Sequence, residues 1–153
     1  NPNPLHGTKV GVSTLLIAQM YERLVNIEPD FDGARQSAEK WNQEEKNSAI
    51  LVAFEAAGPA ILKEQKPLTL EARIERINQI EKKWSSIQTI IKGQLHHFDL
   101  CKSALTKLKA PYEPADIQIP GALVKEALIY AKEIRPRYTV LQLFEDLDIK
   151  SLL

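Results

Sequence analysis

Pro4-Leu5-His6-Gly7-Thr8-Lys9-Val10-Gly11-Val12-Ser13-Thr14-Leu15-Leu16 places a histidine and a glycine in front of a nearly unbroken apolar run. The spacing predicts a helix from about Gly7 to Asn26. Val10, Thr14, Ile17, Tyr21 and Leu24 share one face, while Val12, Leu15, Leu16 and Ala18 make much of the remaining surface apolar too. A helix apolar on so many sides belongs at the centre of a packed domain, so the rest of the chain is expected to pack around it. The richest run, Val10 to Met20, is too short to span a bilayer and is flanked by Lys9, Glu22 and Arg23, which predicts a buried helix and no membrane span.

Composition sets the frame for that helix. The chain has 153 residues, 44% hydrophobic and 26% charged, which suits one helical domain burying about 70% of the surface its unfolded chain exposes. Twenty basic residues balance twenty acidic ones, without the basic excess that phosphate neutralisation demands of most nucleic-acid binders. Cys101 is the only cysteine. An internal disulfide and a CxxC site are therefore excluded, and a structural thiol in a reducing cytoplasm is expected. The start of the chain is neither basic nor followed by an apolar segment ending in small residues, so no signal peptide is expected. Few glycines and many Glu, Lys, Leu, Ile and Ala residues point to an all-α fold. No GxGxxG or phosphate-binding loop occurs, so this chain does not supply a nucleotide-binding α/β unit.

Outward from the first helix, Glu28-Pro29-Asp30-Phe31-Asp32-Gly33 carries turn chemistry and two aspartates able to cap the next helix. From Ala34 the text is helix-forming, with Ala38, Trp41, Ile50, Val52 and Phe54 as the expected buried set. Glu39, Lys40, Glu44, Glu45 and Lys46 form the expected solvated face. Gly58-Pro59 ends or kinks that pattern, and Gln65-Lys66-Pro67 reads as a linker. Thr69 to Ile91 is strongly periodic, with Ile74, Ile77, Ile80, Trp84, Ile87 and Ile91 on one stripe, and Gly93 is expected to break it. A further helix is predicted from His96-His97 to about Leu108. The proline-punctuated stretch Ala110 to Pro120 reads as a wrapping loop, and Pro120 suits the start of a helix with Leu123, Ala127, Tyr130 and Ile134 on one stripe. Thr139 and Gln142 have the spacing of a capping box for a last helix ending near Leu147.

Three places invite a functional reading. A lone histidine such as His6 cannot by itself make a metal site. His96 and His97, adjacent on a helix, point about 100° apart and are poorly placed to share one ion. Arg135 and Arg137, around Pro136, either fasten the C-terminal helix to the body by salt bridges or clamp a phosphate or carboxylate.

Taken together, Leu5-His6-Gly7-x-x-Val10-Gly11 and Ile134-Arg135-x-Arg137-Tyr138-Thr139-x-Leu141 resemble the C-terminal domain of sn-glycerol-1-phosphate dehydrogenases. These belong to the superfamily of iron-containing alcohol dehydrogenases and dehydroquinate synthases. The His-Gly element is shared across the superfamily, and the arginine-tyrosine-threonine element narrows it to the glycerol-1-phosphate branch. The segment from about Ala34 to Ile91 matches no motif; the resemblance resumes from about Phe98 through the proline loop.

The resemblance implies a multihelical orthogonal bundle, the dehydroquinate synthase-like C-terminal domain without its first helices, spanning residues 1–153 as a single helical domain. It implies a parent enzyme that reduces dihydroxyacetone phosphate with NADH or NADPH to sn-glycerol 1-phosphate. In that parent a zinc or nickel ion is held by an aspartate and two histidines, and His6 matches the later histidine. Three protein ligands leave an open position where the ion polarises the substrate carbonyl. The dinucleotide domain, the aspartate and the first histidine have no counterpart in this chain. The chain alone is therefore expected to bind no metal tightly, to be inactive and to self-associate through uncovered apolar surface, the parent being a homo-oligomer. Lys9 lies one turn from His6 and receives no role from the resemblance. Alternatives are another metal-dependent polyol or alcohol dehydrogenase, a dehydroquinate synthase-like lyase, or a non-catalytic helical interaction module.

Overall fold

A computed structural model describes residues 4–152, and every regular element among them is helical. The α-helices are α1 (His6–Val25), α2 (Phe31–Glu39), α3 (Gln43–Phe54), α4 (Gly58–Glu64), α5 (Leu70–Lys107), α6 (Gly121–Tyr130) and α7 (Val140–Asp146), with short 3-10 turns between some of them. None is long and apolar enough to cross a membrane. The helices gather into two compact units. One comprises the chain up to Ile27 with Trp84–Val124, the other Glu28–Lys83 with the chain from Lys125 onward. Helices α5 and α6 contribute residues to both.

In the first unit α1 buries Val12, Leu15, Ala18, Met20 and Leu24. This face is rotated from the expected one: only Leu24 belongs to both sets, and Val10 is 49% exposed. A helix apolar almost all round has little amphipathic phase of its own, so its partner selects the face. That partner is the C-terminal half of α5. Tyr21 stacks on Phe98 with ring centroids 6.2 Å apart. The Gln88 side chain donates to the backbone carbonyls of Leu24, Val25 and Ile27 at 3.1–3.3 Å, satisfying acceptors that a helix end leaves open.

Gly93 does not break α5, which runs unbroken for 38 residues. Glycine in a helix interior costs about 1 kcal/mol relative to alanine, less than the apolar stripe on either side recovers. The stripe itself holds: Ile77, Ile80, Trp84 and Ile91 are buried. The proline stretch after α5 is not extended throughout. A 3-10 turn at Pro114–Ile117 is closed by a reciprocal capping box between Glu113 and Asp116.

In the second unit Asp30 caps α2 by accepting from the Gly33 N–H, and Asn42 caps α3 by accepting from the Glu44 and Glu45 N–H groups. The Asn42 cap divides what reads as one helical stretch from Ala34. Between α3 and α4 the chain reverses at Glu55, in the left-handed region at φ 46°. There Gly58 lies so close to α3 that a Cβ on it would sit 2.9 Å from the Leu51 Cα. The core is Ala34, Ile50, Ile77, Ile80, Leu128, Val140, Leu141, Leu143, Phe144 and Leu147. Val52, expected inside, is 79% exposed, and Leu123 and Ile134, expected on the buried stripe of the sixth helix, are 52% and 53% exposed. In that region the chain changes from α to 3-10 geometry at Ala131–Ile134, which shifts the phase and turns Lys132 and Glu133 inward. Thr139 does stand at the N-cap of α7, but its side chain makes no capping bond. The Gln142 side chain instead donates to Glu145 and Asp146.

Candidate functional sites

His6 is the first residue of α1 and is exposed. It lines an open depression with Lys9, Val10, Thr14, Ile17 and Phe98, all within the first unit. Leu5, the N-cap, is 79% exposed and offers no side-chain cap, and a Cβ on Gly7 would meet nothing within 4 Å. The depression thus combines a free imidazole, an ammonium and apolar side chains on a surface that this chain leaves open.

His96 and His97 are both exposed on α5, yet their rings approach to 3.7 Å between centroids, closer than their helical phase implies. No group of three or more His, Cys, Asp or Glu side chains converges among the described residues. Cys101, partly exposed on α5, is free.

The second unit contains a charge network that the sequence does not announce. Lys132 and Glu133 are 8% and 4% exposed, and the Glu145 side chain is 6% exposed. Glu133 accepts from Lys46 at 2.9 Å and from Lys132 at 3.2 Å, while Glu145 accepts from Lys46, Lys132 and Lys150 at 3.2–3.5 Å. The Lys132 ammonium also donates to the Ile129 carbonyl. Burial pushes the Glu145 carboxyl up, but the ammonium groups of Lys132, Lys46 and Lys150 overcome this and hold it at about 2. Lys46 is therefore no member of the solvated face: its side chain is 17% exposed.

Beside this network lies a second cluster. Asp146 accepts from Tyr138 Oη at 2.9 Å, from Gln142 Nε2 at 3.1 Å and from Arg76 at 3.5 Å. Burial raises the Asp146 carboxyl, with these donors and the Arg76 charge pulling the other way; burial and the Asp146 charge raise the Tyr138 phenol. Arg76 lies over the Tyr138 ring at 5.1 Å, and Arg73 over the Trp41 ring at 3.8 Å. Neither Arg135 nor Arg137 makes an ion pair among the described residues, and both are exposed. Tyr138 and Arg76, not Arg135 or Arg137, make the polar contacts to Asp146 that fasten α7, so of the two readings of the arginines the salt-bridge one is not what these residues form.

The sites so described define a class: an all-helical chain with an open, histidine-bearing apolar surface in one unit and a buried charge network in the other. No family model, curated protein or solved structure matches it.

Proposed function

We propose that this chain is the helical, metal-side domain of an NAD(P)-dependent sn-glycerol-1-phosphate dehydrogenase, which reduces dihydroxyacetone phosphate to sn-glycerol 1-phosphate. The resemblance at both ends of the chain motivates the reading. The observation that supports it is the placement of His6, which opens α1 with its ring exposed in a depression edged by Val10 and Ile17. Such an edge suits a domain whose remaining ligands and cofactor arrive from another part of a larger protein.

The metal fits these residues only in part. A catalytic zinc or nickel site takes about three protein ligands, and His6 offers one imidazole, so no catalytic step is assigned to an ion held by this chain alone. In the assembled enzyme His6 is a ligand, the dinucleotide comes from a preceding α/β region, and α1 is the rigid support that fixes the ligand's direction.

The test is the protein that carries this chain, loaded with zinc or nickel, assayed for NADH or NADPH oxidation by dihydroxyacetone phosphate and for the stereochemistry of the product. The expected result is sn-glycerol 1-phosphate, with turnover abolished in His6→Ala. Formation of the opposite enantiomer, full activity in His6→Ala, or a coding sequence that begins at this chain with no dinucleotide-binding region would sink the assignment.

A further inference from the structure

Seven basic side chains and one carboxylate line a cleft of about 230 Å³ that lies wholly within the second unit. The chain as a whole is neutral, so this is a local concentration of positive charge. The one carboxylate, Glu133, is already neutralised by Lys46 and Lys132. Arg76 is partly offset by Asp146. What remains is Lys66 from the linker before α5, Arg73 from the first turns of α5, and Arg135 and Arg137 from the turn before α7. None of these four makes an ion pair among the described residues.

Their setting is a built one. Arg73 is half-buried, with its guanidinium carbon 3.8 Å from the centre of the Trp41 ring. The Arg137 N–H donates to the Arg135 carbonyl at 2.7 Å across Pro136, and Tyr138 is tied by its hydroxyl to Asp146, so the turn bearing both arginines is held at its base. Gln65 donates to the Glu133 carbonyl at 2.6 Å, which ties down the linker that carries Lys66. Arg73 feels the charges of Glu145, Asp146 and Glu133 without forming an ion pair with them, and the exposed Arg135 and Arg137 are free to engage a ligand; arginine forks match phosphate and carboxylate oxygens in pairs. The volume is below the roughly 300–1,000 Å³ of sites for drug-sized ligands, which selects a small, highly charged ligand.

We infer that this cleft is a binding site for a phosphoryl or pyrophosphoryl group, with Arg73, Arg135, Arg137 and Lys66 as its donors. It lies on residues other than His6 and its neighbours, and it stands whether or not the proposed dehydrogenase function does. The group is the terminal phosphate of a small molecule in solution or the headgroup of an anionic lipid; both present the same dianionic oxygens.

Titration calorimetry of the full chain with inorganic pyrophosphate tests this, with glycerol phosphate and vesicles of phosphatidic acid in phosphatidylcholine as the arms that separate the two sources. One-to-one saturable binding of pyrophosphate is expected. It should weaken roughly tenfold for each arginine removed in Arg135→Gln and Arg137→Gln, and Arg137→Lys should recover only part of it because the charge returns without the fork. Both arginines are exposed and outside the ion-pair network, so unfolding midpoints should match the parent chain. Should either variant unfold, Lys66→Gln, in the linker before α5, reads the same loss. Absence of saturable binding at millimolar pyrophosphate, or equal affinity in the parent chain and these variants, would overturn the assignment.

Discussion

The two units are held together by different physics. Every ion pair among the described residues lies in the second unit, and Glu133, Lys132 and Glu145 are buried there beside Phe144 and Leu147. In the first unit α1 meets α5 through apolar packing, one aromatic stack and the Gln88 amide, while Leu5, Val10, Ile90 and Leu100 stay 49–79% exposed. The second unit holds a buried, internally paired charge network, with unpaired cations and exposed apolar side chains such as Val52 and Ile134 around it; the first has no ion pair among the described residues and presents an apolar edge with a histidine on it. A unit built on buried ion pairs should be sensitive to loss of its own charges, and an open apolar edge to what covers it.

The largest expected effect is in the buried network of the second unit. Glu145→Ala leaves the Lys132 ammonium with a partner missing at a buried site and is expected to cost about 3–5 kcal/mol, read from urea unfolding. A loss below about 1 kcal/mol would mean that the network is solvated and that the contrast between the units is false.

Acid titration approaches the same comparison from another side. The Glu145 carboxyl titrates at about 2 in the folded protein against 4.5 as its ordinary value. Its contribution, on the order of 3 kcal/mol, is therefore complete above about pH 5 and lost as the pH falls through 2. Asp146, whose carboxyl burial raises, opposes this, because its protonation favours the folded state as pH falls. The parent chain should lose stability between pH 5 and 2, and Glu145→Gln should flatten that limb. An unchanged slope in the variant would remove Glu145 as the cause.

Smaller effects separate two glycines. Gly58→Ala, where a Cβ would meet the Leu51 backbone at 2.9 Å, is expected to cost about 1–3 kcal/mol by forcing α3 and α4 apart. Gly93→Ala, with nothing within 4 Å of the new Cβ, is expected to stabilise by about 0.5–1 kcal/mol through helix propensity. Equal signs at the two positions would contradict the packing described. The mildest expectation concerns association: light scattering should show self-association that Val10→Glu reduces, and a strictly monomeric parent chain at high concentration would speak against an uncovered edge on α1.

How far these features were legible varied with the kind of signal. The α5 stripe was readable because isoleucines and Trp84 recur at 3 and 4 residue steps against a charged background, so only one face could be buried. The face of α1 was not, because apolar residues surround the axis and the choice of Val12 over Val10 depends on α5. The site at Lys132–Glu133 was hidden by a change of helical type, which no 3.6-residue pattern anticipates. Lys46 was hidden in a charge run, where the one inward member looks like its neighbours. Asn42 followed by Glu45 is a legible start signal for α3, and it divides the helix-forming stretch from Ala34. The arginines at Arg135 and Arg137 were singled out by sequence, but only the structure shows that they line one cleft with Lys66 and Arg73.

The measurement that bears most directly on the proposed assignment is metal binding by two proteins compared side by side. One is this chain alone, and the other is the longer protein that the proposal requires, in which a dinucleotide-binding region is joined to this chain. Equilibrium dialysis against zinc or nickel should load one ion per longer protein, lost in His6→Ala, and leave the chain alone without a tight site. Tight one-to-one binding by the chain alone, or retention of the ion in the His6→Ala form of the longer protein, would contradict the account of His6 as one ligand at the edge of a larger site.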